Sequence, residues 1–85
     1  MLTIRILDNA VRELERLDKP TAKRIVSRIK WLAENLDNVK REALAGDLAG
    51  LFKFRVGDYR VIYQLLEEEQ VMIIHKIGHR SEIYR

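Results

Sequence analysis

The chain has 85 residues, 16 of them Lys or Arg against 13 Asp or Glu, a formal net charge of +3, and no cysteine. That length holds one domain, residues 1–85, with a single modest core. The lack of cysteine excludes a disulfide framework and thiolate chemistry, and two histidines without cysteine do not make a structural zinc site.

Arg5 and Asp8 interrupt the N-terminal run before it is long enough for a signal peptide. No stretch approaches the roughly 20 apolar residues of a membrane-spanning helix. A soluble cytoplasmic domain with no membrane anchor is expected. The excess of cations points to a polyanionic or acidic partner, and where those cations sit matters more than their sum.

"LTIRIL" (2–7) alternates, with Leu2, Ile4 and Ile6 on one side and Thr3 and Arg5 on the other, and is predicted to be a strand. Asp8 or Asn9 can cap a short helix whose apolar positions are Val11, Leu14 and Leu17. "DKPT" breaks that helix, and Pro20 suits the first turn of the next. In "TAKRIVSRIKWLAENL" (21–36), Ile25, Ile29, Leu32 and Leu36 form a helical stripe widened by Ala22, Val26 and Ala33. Lys23, Arg24, Arg28 and Lys30 lie mostly off it, as solvated cations or as a second nucleic-acid contact. Residues 37–50 read as a loop.

Three strand-like runs follow: "LFKFRV" (51–56), "YRVIYQLL" (59–66) and "QVMIIHKI" (70–77). Gly57-Asp58 joins the first two, and so short a link predicts a tight hairpin. The fold class is therefore α+β. An N-terminal strand and two helices precede a three-stranded antiparallel meander, and the helices pack on one face of the sheet.

The hairpin determines which side chains meet. Phe52, Phe54 and Val56 take the core side, and Lys53 and Arg55 the other. A two-residue turn pairs Val56 with Tyr59 and Arg55 with Arg60, so Lys53, Arg55 and Arg60 share a face. Like charges directly opposed across strands are unfavourable, and an anion between them removes the repulsion. If the last two strands are neighbours, Gly78, His79 and Arg80 end beside Arg60, and Gly78 lets the tail carry Tyr84 back over this face. Lys76 and Arg85 join Lys53, Arg55 and Arg60 as expected RNA contacts. His75 reads as a half-buried strand residue.

No carboxylate pair suited to two-metal catalysis is visible, and Glu67, Glu68 and Glu69 fall at the far end of the sheet. Cations with His and Tyr suit metal-free RNA cleavage, which needs no cofactor. There the 2′-OH of the RNA is the nucleophile. The protein stabilises charge on the phosphoryl oxygens, takes the 2′-OH proton and protonates the leaving 5′-oxygen. His, or a Tyr activated by nearby cations, can handle the protons.

The runs "LAGDLAGLFKFRVGDYRVIYQL" and "IGHRSEIYR" resemble the RelE family, toxins of the RelE/ParE superfamily, and the resemblance covers nearly the whole chain. It implies a toxin of a type II toxin–antitoxin system, held inactive by a cognate antitoxin. The activity it implies is a ribosome-dependent mRNA interferase cutting mRNA in the A site. Within that resemblance Lys53 matches the lysine at the scissile phosphate, Arg60 the arginine of the next strand, and Tyr84 the C-terminal tyrosine taken as general base. Arg80 or His79 stands where the family has its acid or phosphate-holding arginine. Two other functions stay open: a ParE-like inhibitor of DNA gyrase without nuclease activity, and a non-catalytic RNA-binding module.

Overall fold

A computed structural model describes residues 2–83. Strand β1 (Thr3–Ile6) leads into helices α1 (Asp8–Glu15) and α2 (Lys19–Glu34). Strands β2 (Glu42–Ala43), β3 (Phe52–Val56), β4 (Tyr59–Leu66) and β5 (Val71–His79) follow, with short 3-10 turns on either side of β2. All five strands form one sheet in the order β1-β5-β4-β3-β2. β1 runs parallel to β5 and every other pair is antiparallel. The expected α+β architecture and meander are present. No helix among the described residues is long and apolar enough to cross a membrane.

The stretch expected to be a loop contains β2. It pairs Glu42 with Lys53 and Ala43 with Phe52, and the Leu44 N–H donates to the Leu51 carbonyl at 3.0 Å. Two residues carry no alternation, so no local pattern announces them.

Helix α2 starts at Lys19, two residues before the expected start. Its cap is Asp18, whose carboxylate accepts from the Thr21 N–H at 3.1 Å and from the Thr21 hydroxyl at 2.8 Å. Those bonds lower the Asp18 pKa, the Thr21 hydroxyl contributing most. The stripe performs as expected: Ile25, Ile29, Leu32 and Ala33 are buried against Val56, Val61, Tyr63, Met72, Ile74 and Ile77 of the sheet. The buried Tyr63 ring stacks on Phe52, and burial raises its phenol pKa. Trp31, off the stripe, stacks on Phe54 with ring centroids 6.4 Å apart, and the Arg28 guanidinium lies 4.3 Å from the centre of the indole.

Helix α1 differs from expectation. Ala10 is its buried residue, whereas Val11 is 38% exposed. Neither Asp8 nor Asn9 caps it; Leu7 occupies the N-cap without a side-chain bond. Asn9 is used elsewhere. β1 stops at Ile6, opposite Ile74, and leaves the rest of β5 without a strand on that side. Asn9 Nδ2 donates to the His75 carbonyl at 2.7 Å, and Glu13 Oε1 accepts from the Ile77 N–H at 3.1 Å. Spaced four apart on one face of α1, these two side chains replace the missing strand.

The β4–β5 register slips between Ile62, paired with Lys76, and Tyr63, paired with Ile74. His75 is the extra residue of a bulge. It turns toward Gln64, with Nε2 2.9 Å from Gln64 Oε1.

Gly57 carries the hairpin with φ +60, and Asp58 has no positive φ, as in a type II′ turn. A Cβ at Gly57 would sit 3.3 Å from the Arg24 guanidinium. Gly57→Ala is therefore expected to lower stability by roughly 1–2 kcal/mol in urea titration. An unchanged midpoint for the alanine variant would show that the turn is not held in that conformation. Since the Asp18 pKa is depressed on folding, its contribution is full above the ordinary Asp value of 3.8 and lost as pH falls below it. Asp18→Ala should reduce stability near neutrality and flatten the acid limb of a stability–pH curve. A parallel curve would contradict the cap.

Candidate nucleic-acid interface

The sheet has two unlike faces. The helices cover one, and the other carries the cations. The β3–β4 register pairs Val56 with Tyr59, Arg55 with Arg60 and Lys53 with Ile62. Alternation then puts Lys53, Arg55, Arg60 and Ile62 on the open face. Across β4–β5, Arg60 pairs with Gly78 and Ile62 with Lys76, which adds Lys76. Arg5, paired with Ile73 on β1, extends the same face. The bulge brings His75 to it as well, beside Gln64.

Each cation is held differently. Arg60 bends over the turn and donates Nη1 to the Gly57 carbonyl at 3.1 Å and the Tyr59 carbonyl at 3.0 Å. The expected face-to-face repulsion with Arg55 is thus relieved in part by backbone oxygens. Arg55 remains exposed. Lys53 Nζ lies 3.4 Å from Glu42 Oε2, its partner across β2–β3, and both side chains are partly solvated. Such a pair contributes little to stability and can be exchanged for a stronger anion. Glu42 was not foreseen because β2 was not. Among the described residues, no carboxylate lies within 4.0 Å of Arg55, Arg60 or Lys76.

Residues 80–83 turn back against β5, and Gly78 contributes through contact, not through its backbone conformation. Its φ is unexceptional. A Cβ there would come within 3.1 Å of Ile83 Cδ1, so glycine lets Ile83 settle against the strand. Ile83 is 4% exposed and belongs, like Ile62, to the open face rather than the main core. Arg80 sits at the hairpin tip. Its N–H donates to the Asp58 carbonyl at 2.8 Å, and its Nε lies 4.0 Å from Asp58 Oδ1. Arg24 reaches the same tip from α2.

The structure does not bring His79 to the cations. It pairs with Tyr59, and since Tyr59 alternates with Arg60, the imidazole lies on the helix side. The two rings meet edge-on with centroids 5.6 Å apart. Glu13, Arg16 and Glu82 line the same shallow depression. Tyr84 and Arg85 lie outside the described residues. The remaining candidates, Lys53, Arg55, Arg60 and Lys76, share one face, with Arg80 at its rim.

An open face with these cations can seat phosphates. Arg55→Ala and Arg60→Ala should each weaken RNA binding and flatten the slope of log affinity against log salt by about 0.7, the value of one phosphate contact on a single strand. Folded variants with the wild-type slope would show that neither guanidinium meets a phosphate.

Residues 4–84 match the family model described as the ParE toxin of the type II toxin–antitoxin system parDE. The chain is 32% identical over 89 residues to Toxin RelG of Mycobacterium tuberculosis, covering 98% of this chain and 95% of that protein. It superposes on the toxin–antitoxin complex RelBE2 of Mycobacterium tuberculosis with a TM-score of 0.82 and 29% identity, covering 93% of this chain and 98% of the matched one. The isolated E. coli RelE toxin has the same fold, with a TM-score of 0.76 at 18% identity, covering 99% and 92%.

Proposed function

The chain belongs to the family of ParE toxins of type II toxin–antitoxin systems, within the RelE/ParE superfamily, and from that premise we propose that it is a ribosome-dependent mRNA interferase. The observation that carries the reading is the gathering of Lys53, Arg55, Arg60 and Lys76 on the open face of the sheet, with Arg80 at the hairpin tip.

In this reading the mRNA lies across the open face. Lys53 leaves Glu42 for the scissile phosphate, and Arg60 leaves its two carbonyls for a phosphoryl oxygen. Both then stabilise charge that grows as the 2′-OH attacks phosphorus. Arg80, with a side chain 64% exposed, supplies the rim cation. Of the two candidates for the acid or phosphate-holding position, Arg80 is kept as the phosphate-holding cation and His79 is set aside, because the imidazole points to the helix side; the leaving 5′-oxygen takes its proton from water. Tyr84 takes the 2′-OH proton, a role that rests on the match of "GHRSEIYR" to the family's ending. Only a ribosome bends the message so that its 2′-oxygen is in line with the leaving group, and such alignment supplies a large part of the acceleration. Naked RNA is therefore a poor substrate.

A cognate antitoxin is the second partner, in keeping with the RelB–RelE pairing of the matched complex. An acidic or amphipathic segment fits a basic face of this kind.

A second reading, inhibition of DNA gyrase, draws on the ParE description of the matching family model. Programmed ribosomes separate the two. Cleavage within the A-site codon is expected. Intact mRNA together with blocked gyrase supercoiling would overturn the nuclease reading. In single-turnover assays Tyr84→Phe should lower cleavage by about a hundredfold or more, the range of a lost general base, with ribosome binding unchanged. A wild-type rate for that variant would remove Tyr84 from the chemistry.

A further inference from the structure

The His79 imidazole lies on the helix side, and the residue holds the turn that follows with both its side chain and its carbonyl. Nδ1 accepts from the Ser81 backbone N–H at 3.2 Å and lies 2.8 Å from Ser81 Oγ. The His79 carbonyl accepts from the Glu82 N–H at 2.9 Å and the Ile83 N–H at 3.0 Å. An acceptor that takes the N–H two residues on is the geometry of an Asx turn, with an imidazole nitrogen in place of an Asn oxygen. The turn so formed sets Arg80 on Asp58 at the hairpin tip and lays Ile83 against Gly78 on the open face.

We propose that His79 is a positioning residue: its unprotonated Nδ1 caps the turn over residues 80–83, fixes Arg80 at the rim of the basic face, and releases that segment when the nitrogen takes a proton. The importance of this for cleavage rests on the function proposed above; the cap itself does not. The chemistry is local. Nδ1 must offer a lone pair to the Ser81 N–H, so in the capped state the ring proton is on Nε2. A protonated Nδ1 can still donate to Ser81 Oγ, but it meets the Ser81 N–H hydrogen to hydrogen. The backbone cap is then lost. The Tyr59 ring packs edge-on against the imidazole. The other titratable groups facing the ring are Glu13 and Arg16 from α1 and Glu82 from the tail. Glu13 is already committed to the Ile77 N–H.

Two substitutions divide the roles of the side chain. His79→Asn keeps an acceptor in the same place and cannot titrate. His79→Phe keeps a ring against Tyr59 and has no acceptor. Amide hydrogen exchange at Ser81, Glu82 and Ile83, with the His79 ring nitrogens followed by NMR from about pH 8 to about pH 5, reads the outcome. In the wild type, tail protection should fall about tenfold, the equivalent of one hydrogen bond, in step with the His79 ring signals. His79→Asn should stay protected across that range, and His79→Phe should lack the protection throughout, with cleavage on programmed ribosomes lowered by a similar factor. Wild-type protection in His79→Phe would overturn the proposal. So would tail amides that titrate with Glu13 or Glu82 instead of with the His79 ring. If the wild type does not cut mRNA at all, the proposed function fails, and the exchange data still decide the cap.

Discussion

The two-residue turn at Gly57-Asp58 sets the positions of the cations. With Gly57 at φ +60 the hairpin has one register, and that register places Arg55 opposite Arg60 and Lys53 beside Ile62. A slip of β3 by one residue would send Lys53 and Arg55 to the helix side and bring Phe52, Phe54 and Val56 out to water. The buried stripe of α2, packed on Val56 and Val61, opposes such a slip through the hydrophobic surface it covers. The stability of the core and the placement of the cations thus depend on the same backbone conformation.

The rest of the molecule keeps the two faces distinct. Asn9 and Glu13 complete the hydrogen bonding of β5 where β1 ends, and the bulge at His75 lies in that stretch. Past the bulge, Lys76 and Gly78 face the cations while Ile77 and His79 face the helices. Ile83 fits over Gly78 because no side chain stands there. Arg80 is held at the rim by the Asp58 carbonyl and by the turn that follows, in which His79 accepts from Ser81, Glu82 and Ile83. The basic face contains groups already occupied by weak partners: Lys53 by Glu42, and Arg60 by two carbonyls. Partners this weak can be exchanged for a stronger anion, in keeping with the proposed function.

Much of this was legible in the residues. The helical stripe of Ile25, Ile29 and Leu32 and the pairing across Gly57-Asp58 follow from periodicity and turn length, which act locally. The rest depended on contacts distant in sequence. β2 is two residues long and exists because Lys53 and Phe52 pair with it. Asn9 read as a helix cap, but the open edge of β5 claims it instead. His79 ends close to Arg60 along the chain path, yet a strand end delivers neighbours to opposite faces. Pairing with Tyr59 decides which face it takes. Tyr84 and Arg85 lie outside the described residues, so their places in the site rest on the family resemblance.

On the proposed function, RNA is received by the open face of the sheet and not by the helices. Titrating side-chain-labelled protein with a short single-stranded RNA, and following the arginine guanidinium and lysine ammonium signals by NMR, distinguishes the two surfaces. Shifts concentrated on Lys53, Arg55, Arg60, Lys76 and Arg80, with Arg16, Lys23 and Lys30 unchanged, are the expected result. Shifts concentrated on the helix cations, with the hairpin signals still, would contradict it.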